Sequence, residues 1–215
     1  MPEVTITVRG EHELRRAPEE AVAHIAVRAE GPDRGPVVER IAALAAPIRD
    51  ELAERKEGGT LVDWSSARVA VWSERPWAGE KQLAPVHHAA VDMTATFADF
   101  AALSWWITQV AERDGVQVGT IDWRLKTDTH TALERDVASR AVQVAVERAT
   151  AYANALGLSG VTPVEVSDVG LRSPDAPAPR ALMAASAKVV GDPGLDFQPE
   201  DITVSAAVEA RFTAR

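Results

Sequence analysis

Residues 84–97, APVHHAAVDMTATF, set Ala89, Val91, Met93, Ala95 and Phe97 on one side of an extended chain and Ala90, Asp92, Thr94 and Thr96 on the other. An apolar row backed by a polar row predicts a strand in a sheet that is covered on one face only, as antiparallel sheets commonly are. The same stretch holds two adjacent histidines. Neighbouring strand residues face opposite ways, so His87 extends the apolar row and His88 the polar one, and the rings cannot close on one ion. His12, His24 and His130 fall on other elements, and no short zinc spacing such as H-E-x-x-H occurs. No metal site is expected.

Towards the N-terminus, residues 61–72 read as a second strand, with Val69 and Val71 on one face and Arg68, Ala70 and Trp72 on the other. SERPWAGEKQ joins the two strands, and Pro76 and Gly79 mark its turns. Before it, Val37, Ile41, Leu44, Ile48 and Leu52 recur at helical spacing after Pro36, which fits a first turn because its missing amide hydrogen costs nothing there. Pro47 interrupts this stripe. An interior proline costs about 3 kcal/mol, so a kink or two short helices are expected. Earlier still, Ala23, Ile25, Val27 and Ala29 form the inner face of a strand from which His24 and Arg28 point away. Residues 4–9 alternate as a first strand, and the link around Ala17–Pro18 is too long for a tight hairpin between these two.

Towards the C-terminus, Asp99 or Thr96 can cap a helix over 100–113 whose buried stripe is Phe100, Leu103, Ile107 and Val110, with Gly115 closing it. A strand over about 116–126 changes parity, from Val116 and Val118 to Ile121, Trp123 and Leu125, and a bulge at Gly119 would restore its facing. Thr131 and Glu134 match a capping box. The long helix they would open runs to Leu156 and stops at Gly157, along Leu133, Val137, Ala141, Ala145, Ala149, Tyr152 and Leu156. Strands are expected at 161–169 and 181–190, separated by the proline-rich RSPDAPAPRA. The last strand carries Ile202, Val204, Ala206, Val208, Ala210 and Phe212 on one face.

The fold class is therefore α+β. Residues 20–126 read as a split β-α-β-β-α-β unit, an antiparallel sheet with both helices on one side. Residues 1–19 together with 127–215 make a second α+β portion, built from strand 1, the long helix 132–156 and the C-terminal strands.

A chain of 215 residues suffices for one large or two small domains. Its lack of cysteine excludes disulfides, thiolate nucleophiles and cysteine-ligated metals. A formal charge of −9 argues against a nucleic-acid partner, and no apolar run reaches the roughly 20 residues of a membrane span. No G-x-S-x-G, Walker or dinucleotide fingerprint appears, so neither a catalytic residue nor a cofactor site is assigned. MPEVTITVRG lacks the features of an export signal, and the expected compartment is the cytoplasm. Of the six tryptophans, Trp106 flanks the stripe of the 100–113 helix while Trp105 projects to its other side. An indole there requires a second surface, which makes Trp105 the candidate interface residue.

Three stretches, ITVRGEHELRRAPEEAVAHIAV near the start and, more strongly, ALERDVASRAVQVAVERATAYANALGLSGVTPVEVSDVG and FQPEDITVSAAVEARF towards the end, follow one another in an order and spacing by which the chain as a whole resembles the SIMPL-domain family. The family includes periplasmic and outer-membrane-associated immunogenic proteins of bacteria and a eukaryotic kinase-associated signalling adaptor. The resemblance implies a split βαβ unit joined to a second α+β portion, and brings no catalytic residue. Gly10, Glu11, Gly157, Phe197, Pro199, Ser205 and Ala206 match its motif positions, all in structural roles. The leading expectation is a non-enzymatic protein acting through self-association, as a homo-oligomer, or through another protein partner. The alternatives are a small-molecule-binding or enzymatic domain with a site between the two portions, and a cell-envelope protein whose export signal lies outside this sequence.

Overall fold

The computed structural model describes residues 3–169 and 197–215. Along the chain it forms β1 (Val4–Arg16), β2 (Glu20–Gly31), α1 (Arg34–Glu57), β3 (Asp63–Ser66), β4 (Ala70–Glu74), β5 (Trp77–Ala78), β6 (Lys81–Gln82), β7 (Val86–Phe97), α2 (Phe100–Ala111), β8 (Val116–Arg124), α3 (Thr127–Ala155), β9 (Val161–Asp168) and β10 (Ile202–Ala214). The described residues group into two compact units: 3–17, 125–169 and 200–215 form one, and 18–124 with 197–199 the other. The strand expected at 181–190 and the proline-rich connection lie outside the described residues.

In the unit formed mainly by residues 18–124, strands pair in the order β3-β7-β2-β8, and β4 follows β3 along the same edge of β7. Every pairing is antiparallel. The apolar row read in 84–97 is buried from Ala89 to Phe97, and Ala21, Ala23, Ile25, Val27 and Ala29 of β2 are buried with it. Helices α1 and α2 supply Ile41, Ala45, Ile48, Leu52, Leu103, Trp106, Ile107 and Val110 to this one core. The single covered face follows from that alternation.

Both outer strands change parity through a one-residue bulge. On β8, Gly119 and Thr120 together oppose His24, so Val118 and Ile121 both reach the core face against Ile25 and Ala23. The strand expected at 61–72 is two strands. Ser66 pairs with Met93 and Ala70 with Ala90, so four steps on one chain match three on the other. Trp64 before this bulge and Val71 after it therefore both pack on the core, whereas Val69 falls in the break and is exposed. Pro47 does not split α1, which is continuous from Arg34 to Glu57. The carbonyl it leaves unpaired is that of Ala43, on the exposed side, where water can take the bond. At α2, Asp99 is the cap, with Oδ1 accepting from the backbone N–H of Ala101 (2.9 Å) and Ala102 (3.2 Å).

The other unit is a three-stranded antiparallel sheet, β1-β10-β9, with α3 packed on β1 and β10. Strand β1 pairs with β10 without interruption from Val4↔Ala214 to Arg16↔Ile202, well beyond the expected 4–9. It does not pair with β2. Val137, Ala141, Ala145, Ala149 and Ala153 form the buried line of α3 at a strict spacing of four. Tyr152 and Leu156, expected on that line, are exposed. The small stripe lets the helix come so near that Gly10 of β1 lies against the backbone at Ala141 and Ala145, where a Cβ would have no room. The Thr131–Glu134 capping box is not formed. α3 starts at Thr127, four residues earlier, with Lys126 at the cap position and no side-chain cap bond. Asp128 in the first turn complements the helix dipole instead. Gly157, at φ +75°, ends the helix in the left-handed region as the sequence indicates.

Candidate functional site

Helix α2 buries Leu103, Trp106, Ile107 and Val110 and turns Trp105 outwards, leaving it 59% exposed. The contrast between adjacent tryptophans follows from the 100° step of the helix. Trp106 is fully buried against Phe97, with ring centroids 5.3 Å apart, and its indole N–H has no hydrogen-bond partner among the described residues. The guanidinium of Arg55 on α1 lies 5.8 Å from the ring centroid of Trp105.

That arginine is held in place. Its Nε donates to Glu51 Oε1 at 2.8 Å one turn earlier, and the other oxygen of Glu51 accepts from Arg113, just beyond α2. The side chain of Glu51 is only 19% exposed, so this ion pair is shielded more than a surface pair. The result is a fixed cation beside an exposed indole, a contact worth about 0.5–1 kcal/mol at such a site. Sequence reading found Trp105 but missed Arg55, Glu51 and Arg113. The acidic and basic residues of RDELAERKE read as a solvated helix surface, and only the fold brings two of them, Glu51 and Arg55, together with Arg113 beside the indole.

The histidines separate as the alternation requires. His87 lies 2.6 Å from Ser73 Oγ, while His88 faces the other way, stacks on Trp72 at 5.4 Å, and has Glu30 and Glu74 within 3.5 Å and 3.3 Å of its two ring nitrogens. His24 Nε2 is 2.8 Å from Asp122 Oδ2, and His130 Nδ1 is 3.5 Å from Glu134. No group of three or more histidine or carboxylate side chains among the described residues could hold a metal ion. The carboxyl of Asp63 is held below its ordinary range, because it accepts from Lys56 Nζ at 2.6 Å and from the backbone N–H of Trp64. Both bonds favour the ionised form.

A family model named SIMPL, described as a protein of unknown function (DUF541), matches residues 6–212. The chain belongs to the SIMPL family. A comparison with curated proteins finds no match. No described helix of this SIMPL-domain protein is long and apolar enough to cross a membrane. Three of the positions on which the sequence resemblance rested have physical explanations in the fold: Gly10 admits α3, Gly157 ends it, and Phe197 packs edge-on to Trp123 at 5.7 Å, beside the Phe100–Trp123 pair.

Proposed function

We propose that this SIMPL-domain protein is non-enzymatic and acts by self-association, with Trp105 as an anchor of the interface. The observation that carries this reading is the exposed indole on a helix whose other face is fully engaged, pinned beside Arg55 by a shielded carboxylate. Tryptophan and arginine are the residue types most enriched at interface hot spots, and both are pre-ordered here, which lowers the entropy cost of docking. The uncovered part of the indole is about 150 Å². Covering it would contribute up to about 4 kcal/mol per chain before the cost of association. A symmetric pair places the same patch on both partners.

Sedimentation velocity and circular dichroism on wild type, Trp105→Glu and Trp106→Glu test the reading. Trp105→Glu is expected to keep the fold and weaken association. Trp106→Glu should lose the fold, because a charge would replace a fully buried ring. A wild-type chain that stays monomeric at high micromolar concentration sinks the proposal.

A further inference from the structure

The face of the β3-β7-β2-β8 sheet opposite the two helices carries a groove of about 560 Å³ whose lining includes His24, Arg28, Ser65, Asp92, Thr94 and Gln117. Its shape follows from the register. Row by row across the sheet, Ser65 pairs with Thr94 and Thr94 with His24; Asp92 pairs with Ala26 and Ala26 with Gln117; Ala90 pairs with Arg28. Ala26 at the centre, Ala67 at one edge and Gly119 at the other are small, while the residues around them are long. Both outer strands bulge in this region, β3–β4 beside Asp92 and β8 opposite His24. Bulges commonly sit beside functional sites, where they re-aim side chains.

The charges within the groove are unevenly paired with protein partners. His24 is held by Asp122, and Ser65 Oγ lies 2.8 Å from Thr94 Oγ1. Arg28 and Asp92 line the same groove, yet neither has a side-chain ion pair or hydrogen bond among the described residues. They are diagonal neighbours on adjacent strands, a placement that sets Cα atoms roughly 7–8 Å apart and would allow the two side chains to pair directly. They do not. A ligand with a single charge would satisfy one of them and leave the other without a counter-charge.

We propose that this groove binds a small zwitterion of the α-amino-acid class, with its carboxylate at Arg28 and Gln117 and its ammonium at Asp92. The hydroxyls of Ser65 and Thr94 then offer hydrogen bonds to a polar side chain. This site lies within one unit and involves none of the residues of the Trp105 surface.

The test is a titration of the ¹⁵N-labelled full chain with glycine, L-serine and L-glutamine, following the backbone amides of Ala67 and Gly119. A ligand of about ten heavy atoms or fewer should bind in the millimolar range. Saturable shifts at those amides are expected, with N-acetyl-L-glutamine and L-glutamine α-amide, each lacking one charge, at least about tenfold weaker. Asp92→Asn should remove the discrimination against the N-acetyl compound, and Arg28→Gln that against the amide. Both positions are exposed, and amide spectra of the variants report whether the fold is kept. No saturable shift with any of the three amino acids, or equal shifts from the one-charge analogues, overturns the proposal.

Discussion

Replacing Gly10 by alanine adds one methyl group where β1 meets α3. That methyl would penetrate the carbonyl oxygen of Ala141 and sit 2.7 Å from the backbone N and 2.9 Å from the Cβ of Ala145. None of these atoms belongs to a flexible side chain, so the strain cannot be relieved by a rotamer change, and the helix must move away from the sheet. Overpacking of this kind costs about 1–3 kcal/mol. A less flexible unfolded chain returns about 0.4–1 kcal/mol. The net loss should be about 1 kcal/mol, or a fall in Tm of roughly 2–4 °C for a chain of this size. The tryptophans separate the two units conveniently: all six lie in residues 18–124, whereas α3 and the β1-β10-β9 sheet contain none. Urea unfolding followed by far-ultraviolet circular dichroism should therefore reveal the loss, and tryptophan fluorescence in the same samples reports the other unit alone. Gly160→Ala is the matched control. A Cβ there meets nothing within 4 Å, and the expected change is a gain of about 0.4–1 kcal/mol. A Gly10→Ala chain as stable as wild type by circular dichroism would refute the close-packing account of this glycine.

Pro47→Ala restores a helical amide without altering the buried stripe of α1, and should raise stability by about 1–3 kcal/mol in the same urea experiment. Thr131→Ala, which removes a residue inside α3 rather than at its cap, should change stability by less than about 0.5 kcal/mol; a loss near 1 kcal/mol would return the helix start to Thr131. Asp63 has a folded-state pKa below the 3.8 of an unperturbed aspartate, so its contribution to stability is present above that value and is lost as pH falls through the lower, folded one. Carboxyl NMR should place its midpoint below that of an unstructured aspartate, and Lys56→Met should bring it back up. An unchanged midpoint in that variant would mean that Lys56 is not the cause.

The one-sided sheet was legible because burial imposes a period of two, and Ala89 to Phe97 carry that period without error. The parity change around Gly119 was legible for the same reason: two apolar sets out of phase can share one face only across an inserted residue. The break at 67–69 escaped because Val69 and Val71 form a false pair, apolar and two apart, of which only Val71 reaches the core. Thr131 and Glu134 misled in a related way. A capping box is defined by backbone position, and the pattern itself can also occur within a helix. As for the candidate site, Trp105 was visible from its place on the helix wheel. Arg28 and Asp92 were visible too, as polar members of alternating strands. What the sequence withheld was lateral: which strand lies beside which, and therefore which charges share a groove and which arginine lies beside the indole.

The pairing of β1 with β10 also bears on how the protein is made. Its partners are about 200 residues apart, and synthesis proceeds at roughly 5–20 residues per second. For some 10–40 seconds, then, β1 is outside the ribosome with no β10 to pair with. Residues 18–124 contain all four main strands and both helices of their sheet, and can fold during that interval. A nascent chain thus carries one formed unit and one waiting strand with an open edge on each side. Arg9, Glu11, Glu13, Arg15 and Arg16 along that strand are the kind of charged residues that discourage it from pairing with a neighbouring nascent chain before its own partner arrives.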